Sequence, residues 1–252
     1  MQFSHAILRT PGDPASGLTT ATLGAPDKEL SLRQFDAYAQ TLRDFGLQID
    51  ILPPLPGFGD AHYVEDTAVV MPEGAIITHP GAPARQGEVE SVASALAAYR
   101  SLHRMSEAGT MDGGDVLLVG KQFFIGETSR TNQAGISEFA RIVEAWGYTV
   151  QSIEVGAGLH LKSIVNYVGK NTMTVSEDAA RNPAFASFNH IVLAPEEEYA
   201  GNTLWINDRL ITPAGYPKTL AALQALDLPI TVLDTSEFRK MDGGLTCLSL
   251  RF

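Results

Sequence analysis

A strand, a tight turn and a second strand recur along this chain, and the repetition limits its possible folds more than any other feature. Apolar runs around turn residues predict four such hairpins, over residues 66–80, 115–128, 161–177 and 202–215. A fifth is predicted between a C-terminal strand, 245–252, and an N-terminal strand, 3–9. The hairpins start 41 to 49 residues apart, which divides the 252 residues into five units of about 50.

Each hairpin is followed by a helical pattern and then by a short apolar strand. The helices are predicted over 31–46, 88–99, 132–147 and 218–228, with a weaker pattern near 176–185. The first has Phe35, Tyr38 and Leu42 on one face, Ser31 as a candidate N-cap and Gly46 at its end. The strands that follow are predicted over 48–53, 148–153, 190–195 and 230–234, with one more, poorly marked, within 102–110.

Five ββαβ units in a closed ring explain this pattern most simply. The predicted fold class is α/β, as a five-bladed propeller with pseudo-fivefold symmetry. No linker or block of charge divides the chain, so we expect a single domain over 1–252. A general α/β or α+β domain whose regularity is accidental is the alternative that the pattern leaves open.

The composition excludes several classes of function. Lys and Arg number 18 against 29 Asp and Glu, a net charge of −11, which argues against a nucleic-acid surface and favours a cationic small molecule. A single cysteine, Cys247, excludes an intramolecular disulfide and a zinc site built on several thiolates. The sequence has no signal peptide and no apolar run long enough to cross a membrane, so a cytoplasmic location is expected.

The residues at the start of each predicted inner strand are the candidates for chemistry. These junctions hold Glu65 and Asp66, Asp112, His160, Asn202 and Cys247. If rotation relates the units, the junctions converge on the ring axis, and acids, an imidazole and a thiol face one cavity. Glycines supply tight backbone at three of the junctions, namely Gly113-Gly114, Gly156 with Gly158, and Gly243-Gly244.

Each candidate also has an ordinary structural explanation. A cysteine within LTCLSL is typical of a small buried residue in a strand, and His160 between two leucines is typical of a core histidine. A carboxylate between a turn and a strand usually caps the turn. The combination is harder to explain in this way, because a cysteine, a histidine and two carboxylates lie at equivalent positions of the repeat.

A thiol, a histidine and carboxylates together suit attack on an electron-poor carbon flanked by nitrogens. The thiolate is the nucleophile, and the histidine protonates the leaving amine and then deprotonates water. Carboxylates bind a planar guanidinium through paired hydrogen bonds, whereas they would repel the oxyanion of an acyl transfer. The sequence has no HExxH, CxxC, P-loop or dinucleotide-binding pattern, so no metal or cofactor is expected.

Several segments resemble dimethylarginine dimethylaminohydrolases of the guanidine-modifying pentein superfamily, particularly the bacterial members. They are VEDTAVV, MDGGDVLLVG, FIGETSRTN, GLHLKS, TPAGYP and SEFRKMDGGLTCLSLRF. The resemblance extends over nearly the whole chain and implies a five-bladed α/β propeller, the pentein fold. It also implies that segment 10–27 is a flexible lid over the pocket.

The resemblance assigns roles to individual residues. Cys247 is similar to the family nucleophile, His160 to its acid and base, and Asp112 to the acid that orients the histidine, where some relatives carry Glu. The guanidinium end of the substrate is expected at Glu65 and Asp66, and Asp66 also stabilises the cation during catalysis. The remaining implied contacts are Arg85 and Arg130 with the substrate carboxylate, Asp60 and the Leu18 backbone near the α-amino group, and Asp242 beside the nucleophile.

The implied activity is hydrolysis of Nω-methylated arginines to citrulline and methylamine or dimethylamine. The nearest alternative is a deiminase of the same superfamily that acts on arginine or agmatine. An alternative of another class is a non-catalytic propeller that serves as a binding module. A homodimer is a further expectation, based on how common two-fold oligomers are.

Overall fold

Five three-stranded sheets surround a common axis in the computed structural model, which describes residues 2–14, 17–18, 23–156 and 159–252. The inner strands are β3 (Ala68–Val70), β6 (Val116–Val119), β9 (Val165–Tyr167), β12 (Leu204–Ile206) and β15 (Leu250–Arg251). The middle strands are β1 (His5–Arg9), β4 (Ala75–Ile77), β7 (Gln122–Glu127), β10 (Thr172–Val175) and β13 (Arg209–Pro213). The outer strands are β2 (Gln48–Leu52), β5 (Leu102–Arg104), β8 (Thr149–Glu154), β11 (Asn189–Val192) and β14 (Ile230–Leu233).

Every sheet has the same topology. The inner strand is antiparallel to the middle strand, which is parallel to the outer strand. The two termini close the ring, because β15 pairs with β1 through Ala6 opposite Arg251 and Ile7 opposite Leu250. The predicted five-bladed α/β propeller of ββαβ units, including the hairpin made by the two termini, is confirmed.

Helices connect the middle and outer strands in four of the five units. They are α1 (Lys28–Asp44), α2 (Val89–Leu96), α3 (Gln133–Ala145) and α4 (Pro217–Gln224). The helix predicted near 176–185 is wrong, since that stretch forms two 3₁₀ turns, 179–181 and 183–185. Asn182 caps the second turn, and Pro183 has no N–H with which to continue a helix. A fifth helix, α5 (Ser236–Lys240), was not predicted.

Helix α1 illustrates how the apolar pattern builds the core. Phe35, Tyr38 and Leu42 are buried, as predicted, and pack in one cluster with Leu8 of β1. Burying each such side chain contributes about 1.5–3 kcal/mol. The predicted cap is wrong: the helix begins at Lys28, and the Asp27 carboxylate accepts the Leu30 N–H at 2.9 Å, whereas Ser31 lies inside the helix.

Short 3₁₀ turns lie at the predicted junctions into the inner strands. They span 64–67, 113–115, 161–163, 195–201 and 246–248. The strand predicted over 245–252 is therefore shorter than expected, since only Leu250–Arg251 pairs with β1. The residues before Leu250 are held by Asn202, whose side-chain oxygen accepts the Thr246 N–H at 2.9 Å. These turns bring the junction side chains to the ring axis.

In the described part of the chain, no helix combines the length and the apolar character that crossing a bilayer requires.

Candidate active site

A buried imidazole–carboxylate pair lies at the axis. His160 precedes the turn 161–163, and its Nε2 lies 3.0 Å from Oδ2 of Asp112, which precedes the turn 113–115. Oδ1 of Asp112 accepts the Gly81 N–H at 2.9 Å. The carboxylate is therefore fixed from both sides and can orient the ring, the role predicted for Asp112.

The charges around this pair determine its protonation. Burial favours neutral imidazole, but the carboxylates of Asp66, Asp112 and Asp115 outweigh that effect and raise the pKa of His160 to about 9. Burial also favours the neutral acid at Asp112, yet the bond to His160 and the positive charges of His160 and Arg85 lower the pKa of Asp112. At neutral pH the pair is an imidazolium with a carboxylate, so it holds a proton ready to donate.

Asp115 supports this pair and was not predicted from the sequence. It is fully buried and accepts the Leu161 N–H at 2.8 Å, the Thr131 hydroxyl at 2.6 Å and the Thr128 hydroxyl at 2.8 Å. These bonds tie the segment after His160 to the loop after β7. The MDGGD motif contains both acids, Asp112 and Asp115, and no pattern in the sequence distinguishes the second as a support.

Cys247 lies in the turn 246–248 rather than in a strand, which removes the ordinary explanation of a buried strand cysteine. The thiol is half-buried and accepts the Gly244 N–H at 3.4 Å. Burial, and then the negative charges of Glu65 and Asp66, raise the pKa of Cys247 to about 12. The resting thiol is consequently neutral at pH 7, and a positive charge beside it would favour the thiolate.

Asp66 belongs to a buried ion cluster. Its carboxylate pairs with Arg85 Nη1 at 2.5 Å and accepts the Gly114 N–H at 2.8 Å. Arg85 also pairs with Glu88 at 2.7 Å and donates to the carbonyls of Asp60 and Tyr63. A substrate carboxylate at Arg85 would thus share the guanidinium with two protein carboxylates, so the predicted clamp at this residue stays a prediction.

All four glycines of the predicted pairs Gly113-Gly114 and Gly243-Gly244 are closely packed. A side chain at Gly114 would come within 2.7 Å of His160 Nδ1, and one at Gly243 would overlap the Tyr63 ring. Gly156, by contrast, has open space around it, and Gly158 lies outside the described residues. Tight backbone therefore matters beside Asp112 and Cys247.

A narrow cleft of about 50 Å³ brings most of the predicted residues together. The predicted residues that line it are Leu18, Asp60, Asp66, Arg85, Arg130, His160, Asp242 and Cys247. The lining residues that were not predicted as catalytic or binding residues are Tyr63, Leu159, Met241 and Gly243, the last of which was predicted only as a junction glycine. Each of these four is within three positions of a predicted residue, so nearness to a junction was the available signal.

Leu18 and Asp60 both line the cleft. The Leu18 N–H donates to Asp60 Oδ2 at 2.7 Å, so the two residues predicted near the α-amino group are bonded to each other. Asp242 has a left-handed backbone, with φ of 60°, a conformation that Asp tolerates. Much of the predicted lid, residues 15–16 and 19–22 of segment 10–27, lies outside the described residues.

Glu65 is arranged differently from the other predicted binding residues. It does not line the cleft, and its carboxylate bonds to Lys162 at 2.7 Å, Thr246 at 2.8 Å and Arg251 at 3.2 Å. Its neighbour Asp66 faces the cleft. Of the two acids in this motif, Asp66 alone is positioned to meet a substrate guanidinium.

Asp66 and the two members of the pair, Asp112 and His160, are groups of the kind that ligate cations, and their ligand atoms lie within 4.8 Å of one another. All three already bond to protein groups. The raised pKa of His160 also keeps its ring protonated, and an imidazolium is not a metal ligand. The set suits proton transfer better than metal binding.

The chain is similar to characterised proteins over its whole length. It is 38% identical to N(G),N(G)-dimethylarginine dimethylaminohydrolase of Pseudomonas aeruginosa, over 99% of this chain and 100% of that protein. It is 35% identical to the Streptomyces coelicolor protein of the same name, over 100% of this chain and 98% of that one. The chain belongs to the dimethylarginine dimethylaminohydrolase family. No protein-family model matches it.

Solved structures agree with membership of the dimethylarginine dimethylaminohydrolase family. The Pseudomonas aeruginosa enzyme, as a Cys-to-Ser variant complexed with citrulline, superposes with a TM-score of 0.97 at 38% identity over 100% of both chains. The N-terminal domain of the cyanobacterial arginine dihydrolase ArgZ shares the fold, with a TM-score of 0.86 at 16% identity over 98% of this chain and 97% of that one. The chain is thus an amidine hydrolase with a pentein fold.

Proposed function

We propose that this protein hydrolyses Nω-methylated and Nω,Nω-dimethylated L-arginine to L-citrulline and methylamine or dimethylamine, with Cys247 as the nucleophile. The observation that carries the proposal is one cleft lined by Cys247, His160 and Asp66, with Asp112 behind the imidazole. Family membership supports it, as does the relative whose Cys-to-Ser variant is complexed with citrulline.

The cleft suits a cationic guanidinium. Asp66 has one carboxylate oxygen toward Arg85 and the other toward the Gly114 N–H, and each carboxylate oxygen has capacity for a further bond. The guanidinium therefore lies against Asp66, beside Cys247. Arg130 meets the substrate carboxylate, with Arg85 contributing through its shared guanidinium, while Asp60 and the Leu18 backbone meet the amino end.

Substrate binding itself activates the nucleophile. The thiol is neutral because it is buried and because the negative charges of Glu65 and Asp66 lie near it, and a bound guanidinium places a positive charge next to the sulfur. The thiol pKa then falls, its proton leaves to solvent, and the thiolate attacks the central guanidinium carbon, forming a C–S bond. Only a cation that reaches the sulfur obtains this activation.

His160 handles the protons of both later steps. Its imidazolium donates a proton to the methylated nitrogen, the C–N bond breaks and the amine departs, which leaves a covalent thiouronium on Cys247. Neutral His160, held by Asp112, then takes a proton from water, and the resulting hydroxide attacks the same carbon. The C–S bond breaks, the new hydroxyl group loses its proton to become the carbonyl of citrulline, and the departing sulfur takes up a proton, so that the neutral Cys247 thiol and the protonated His160 are restored.

A substrate panel tests the proposal. Turnover of dimethylarginine, monomethylarginine, arginine and agmatine is measured at one pH, and the released amine is identified by chromatography. We expect dimethylamine from dimethylarginine to be the fastest product and agmatine, which has no carboxylate, to be the slowest. Ammonia from arginine as the preferred reaction would establish a deiminase instead. No turnover of any member, with folded protein, would favour the binding module.

We infer one catalytic domain over 1–252, because residues from sequence positions 18 to 247 contribute to one cleft. The proposed steps use only protein groups and water, so they need no cofactor. A homodimer and a cytoplasmic location stay predictions.

A further inference from the structure

A second cavity lies on the ring axis, on the far side of the junction turns from Cys247. Its volume is about 410 Å³, against about 50 Å³ for the catalytic cleft. It is lined by residues of all five inner strands, β3, β6, β9, β12 and β15. In the described part of the chain the two cavities share no lining residue. Ligand pockets are commonly of 300 Å³ or more, so this second cavity has the size of a binding site in its own right.

The walls of the second cavity are apolar. Val69, Leu118 and Leu204 contribute aliphatic surface, and Tyr167 meets Trp205 edge to face, with ring centroids 5.3 Å apart. Leu118 and Val69 are half-buried, which leaves part of each side chain accessible. A ligand that fills this space needs an aliphatic or aromatic body, because a small inorganic ion would leave the walls in contact with water.

The floor of the cavity is cationic. Among the described lining residues the charged ones are Glu65, Lys162 and Arg251, and the single carboxylate pairs with both cations. The Lys162 and Arg251 side chains are 13% and 12% exposed, against 4% for Glu65. One positive charge is thus in excess, and the cations are the more accessible partners.

Donors remain at this floor for a ligand. In the part of the chain that the structure describes, Lys162 Nζ donates to Glu65 and to the Gly113 carbonyl, which uses two of its three N–H groups. Arg251 donates through Nη1 to Thr246 and Ser249 and through Nη2 to Glu65. An anion at Lys162 would offset the excess charge in surroundings of low polarity, where ion pairs are strong.

We propose that this second cavity binds a small amphipathic monoanion, a carboxylate with a medium-chain aliphatic or aromatic body. The carboxylate lies at Lys162 and Arg251, and the body lies between the walls formed by the inner strands. None of the described residues that line this cavity lines the catalytic cleft, so binding here does not depend on the proposed hydrolase activity.

Calorimetric titration with octanoate tests the proposal. The protein is used with Cys247 alkylated by 2-chloroacetamidine, which closes the catalytic cleft, and again unmodified. We expect one octanoate per chain with equal affinity in both forms, and binding at least about tenfold tighter than that of octanamide or octylamine, because only octanoate carries a negative charge.

Two variants separate shape from charge. Leu118→Trp fills the cavity and is expected to weaken octanoate binding at least about tenfold, whereas Val192→Trp, on the exposed face of β11, is the matched control.

Arg251→Gln is expected to weaken octanoate binding about tenfold and to leave octanamide binding unchanged. Its control is Arg181→Gln, since that side chain is exposed and paired with Asp178. Circular dichroism checks each fold, and Val69→Trp replaces Leu118→Trp if the latter unfolds.

Three results would overturn the proposal. The first is no octanoate binding to folded protein, or binding weaker than about 10 mM. The second is binding that disappears when Cys247 is alkylated, since octanoate would then occupy the catalytic cleft. The third is failure of a specificity test, in which octylamine binds as tightly as octanoate or the Leu118→Trp variant binds octanoate with wild-type affinity.

Discussion

Two adjacent acids, Glu65 and Asp66, belong to opposite ends of the ring axis. Asp66 faces the catalytic cleft in a cluster with Arg85 and Glu88, which has two carboxylates and one cation. Glu65 faces the second cavity in a cluster with Lys162 and Arg251, which has one carboxylate and two cations. The 3₁₀ turn 64–67 sends the two side chains apart. One turn therefore gives the ring a negative end suited to a cation and a positive end suited to an anion.

The largest expected effect separates the two ends by their chemistry. Cys247→Ser is expected to reduce turnover of dimethylarginine by at least about 10⁴-fold, because a serine hydroxyl is a far weaker nucleophile in this acidic cleft. Octanoate affinity at the other end should stay within about twofold, since Cys247 does not line the second cavity. Citrulline formation and calorimetry measure the two effects. Turnover at the wild-type rate would refute the assignment of Cys247.

The repeat and the junction residues were open to prediction from the sequence, because hairpin spacing and residue type are local. The directions in which neighbouring side chains point were not, since the backbone of a 3₁₀ turn decides between Glu65 and Asp66. Arg85 was predicted to contact substrate, but its partner Glu88 lies in the same turn, 83–88, and both of these side chains are buried. Pairing among buried charges depends on tertiary packing, which no spacing in the sequence reveals.

The same limit applies to supporting residues and to short elements. Asp115 follows Asp112 by three residues in MDGGD, and only the fold brings the Leu161 N–H to it. The segment LTCLSL is apolar and therefore predicts a strand at Cys247. The turn that forms there is held by the hydrogen bond from the Thr246 N–H to Asn202, which lies 44 residues earlier in the chain. Periodicity detects the units, and contacts between units determine the details of the site.

Asp112→Asn tests the charge at the negative end and should have the next largest effect. Asparagine keeps an oxygen for the Gly81 N–H but removes one charge that raises the pKa of His160. We expect kcat to fall about 10²–10⁴-fold, the usual contribution of a general acid and base. The alkaline limb of the kcat profile should also move to lower pH, because His160 loses its proton earlier.

The pH profile of kcat from 6 to 10 distinguishes this role of Asp112 from a structural one. Asp178→Asn is the matched control, since its carboxylate is exposed and pairs with Arg181 at the surface. A reduced kcat whose alkaline limb stays at its wild-type position would mean that Asp112 supports the fold without tuning the imidazole.

The rate of alkylation of Cys247 reports the pKa of its thiol, which burial and the negative charges of Glu65 and Asp66 raise. The pKa of about 12 means that the thiolate fraction rises tenfold for each pH unit through the neutral range. Iodoacetamide, which is neutral, should therefore react about 100-fold faster at pH 9 than at pH 7. Cationic 2-chloroacetamidine should show a shallower dependence, because its charge lowers the thiol pKa on binding. Cys247→Ser is a true blank, since the chain has one cysteine. Equal slopes for both reagents would contradict activation by the bound cation.

Glu88→Gln is expected to have the smallest effect and tests whether the second carboxylate of the negative cluster stabilises the fold. Burial raises the pKa of Glu88, because the attraction of Arg85, which is shared with Asp66, does not fully offset the loss of water. The pKa of this carboxyl is higher in the folded state than in the unfolded state. It therefore destabilises the fold progressively as pH rises from 4.5, its ordinary pKa, through its pKa in the folded state. Glutamine cannot ionise, so it removes that dependence.

The free energy of unfolding of Glu88→Gln should consequently lie within about 1 kcal/mol of the wild type, and the difference should shift in favour of the variant between pH 4 and pH 7. Urea unfolding at several pH values measures it. Glu90→Gln, on α2 and paired with Arg104 at the surface, is the control in which little pH dependence is expected. A variant that becomes relatively less stable as pH rises would show that Arg85 compensates both carboxylates fully. The cluster of Asp66, Arg85 and Glu88 would then hold no unbalanced charge, so it could not be the source of the preference of this end for a cation.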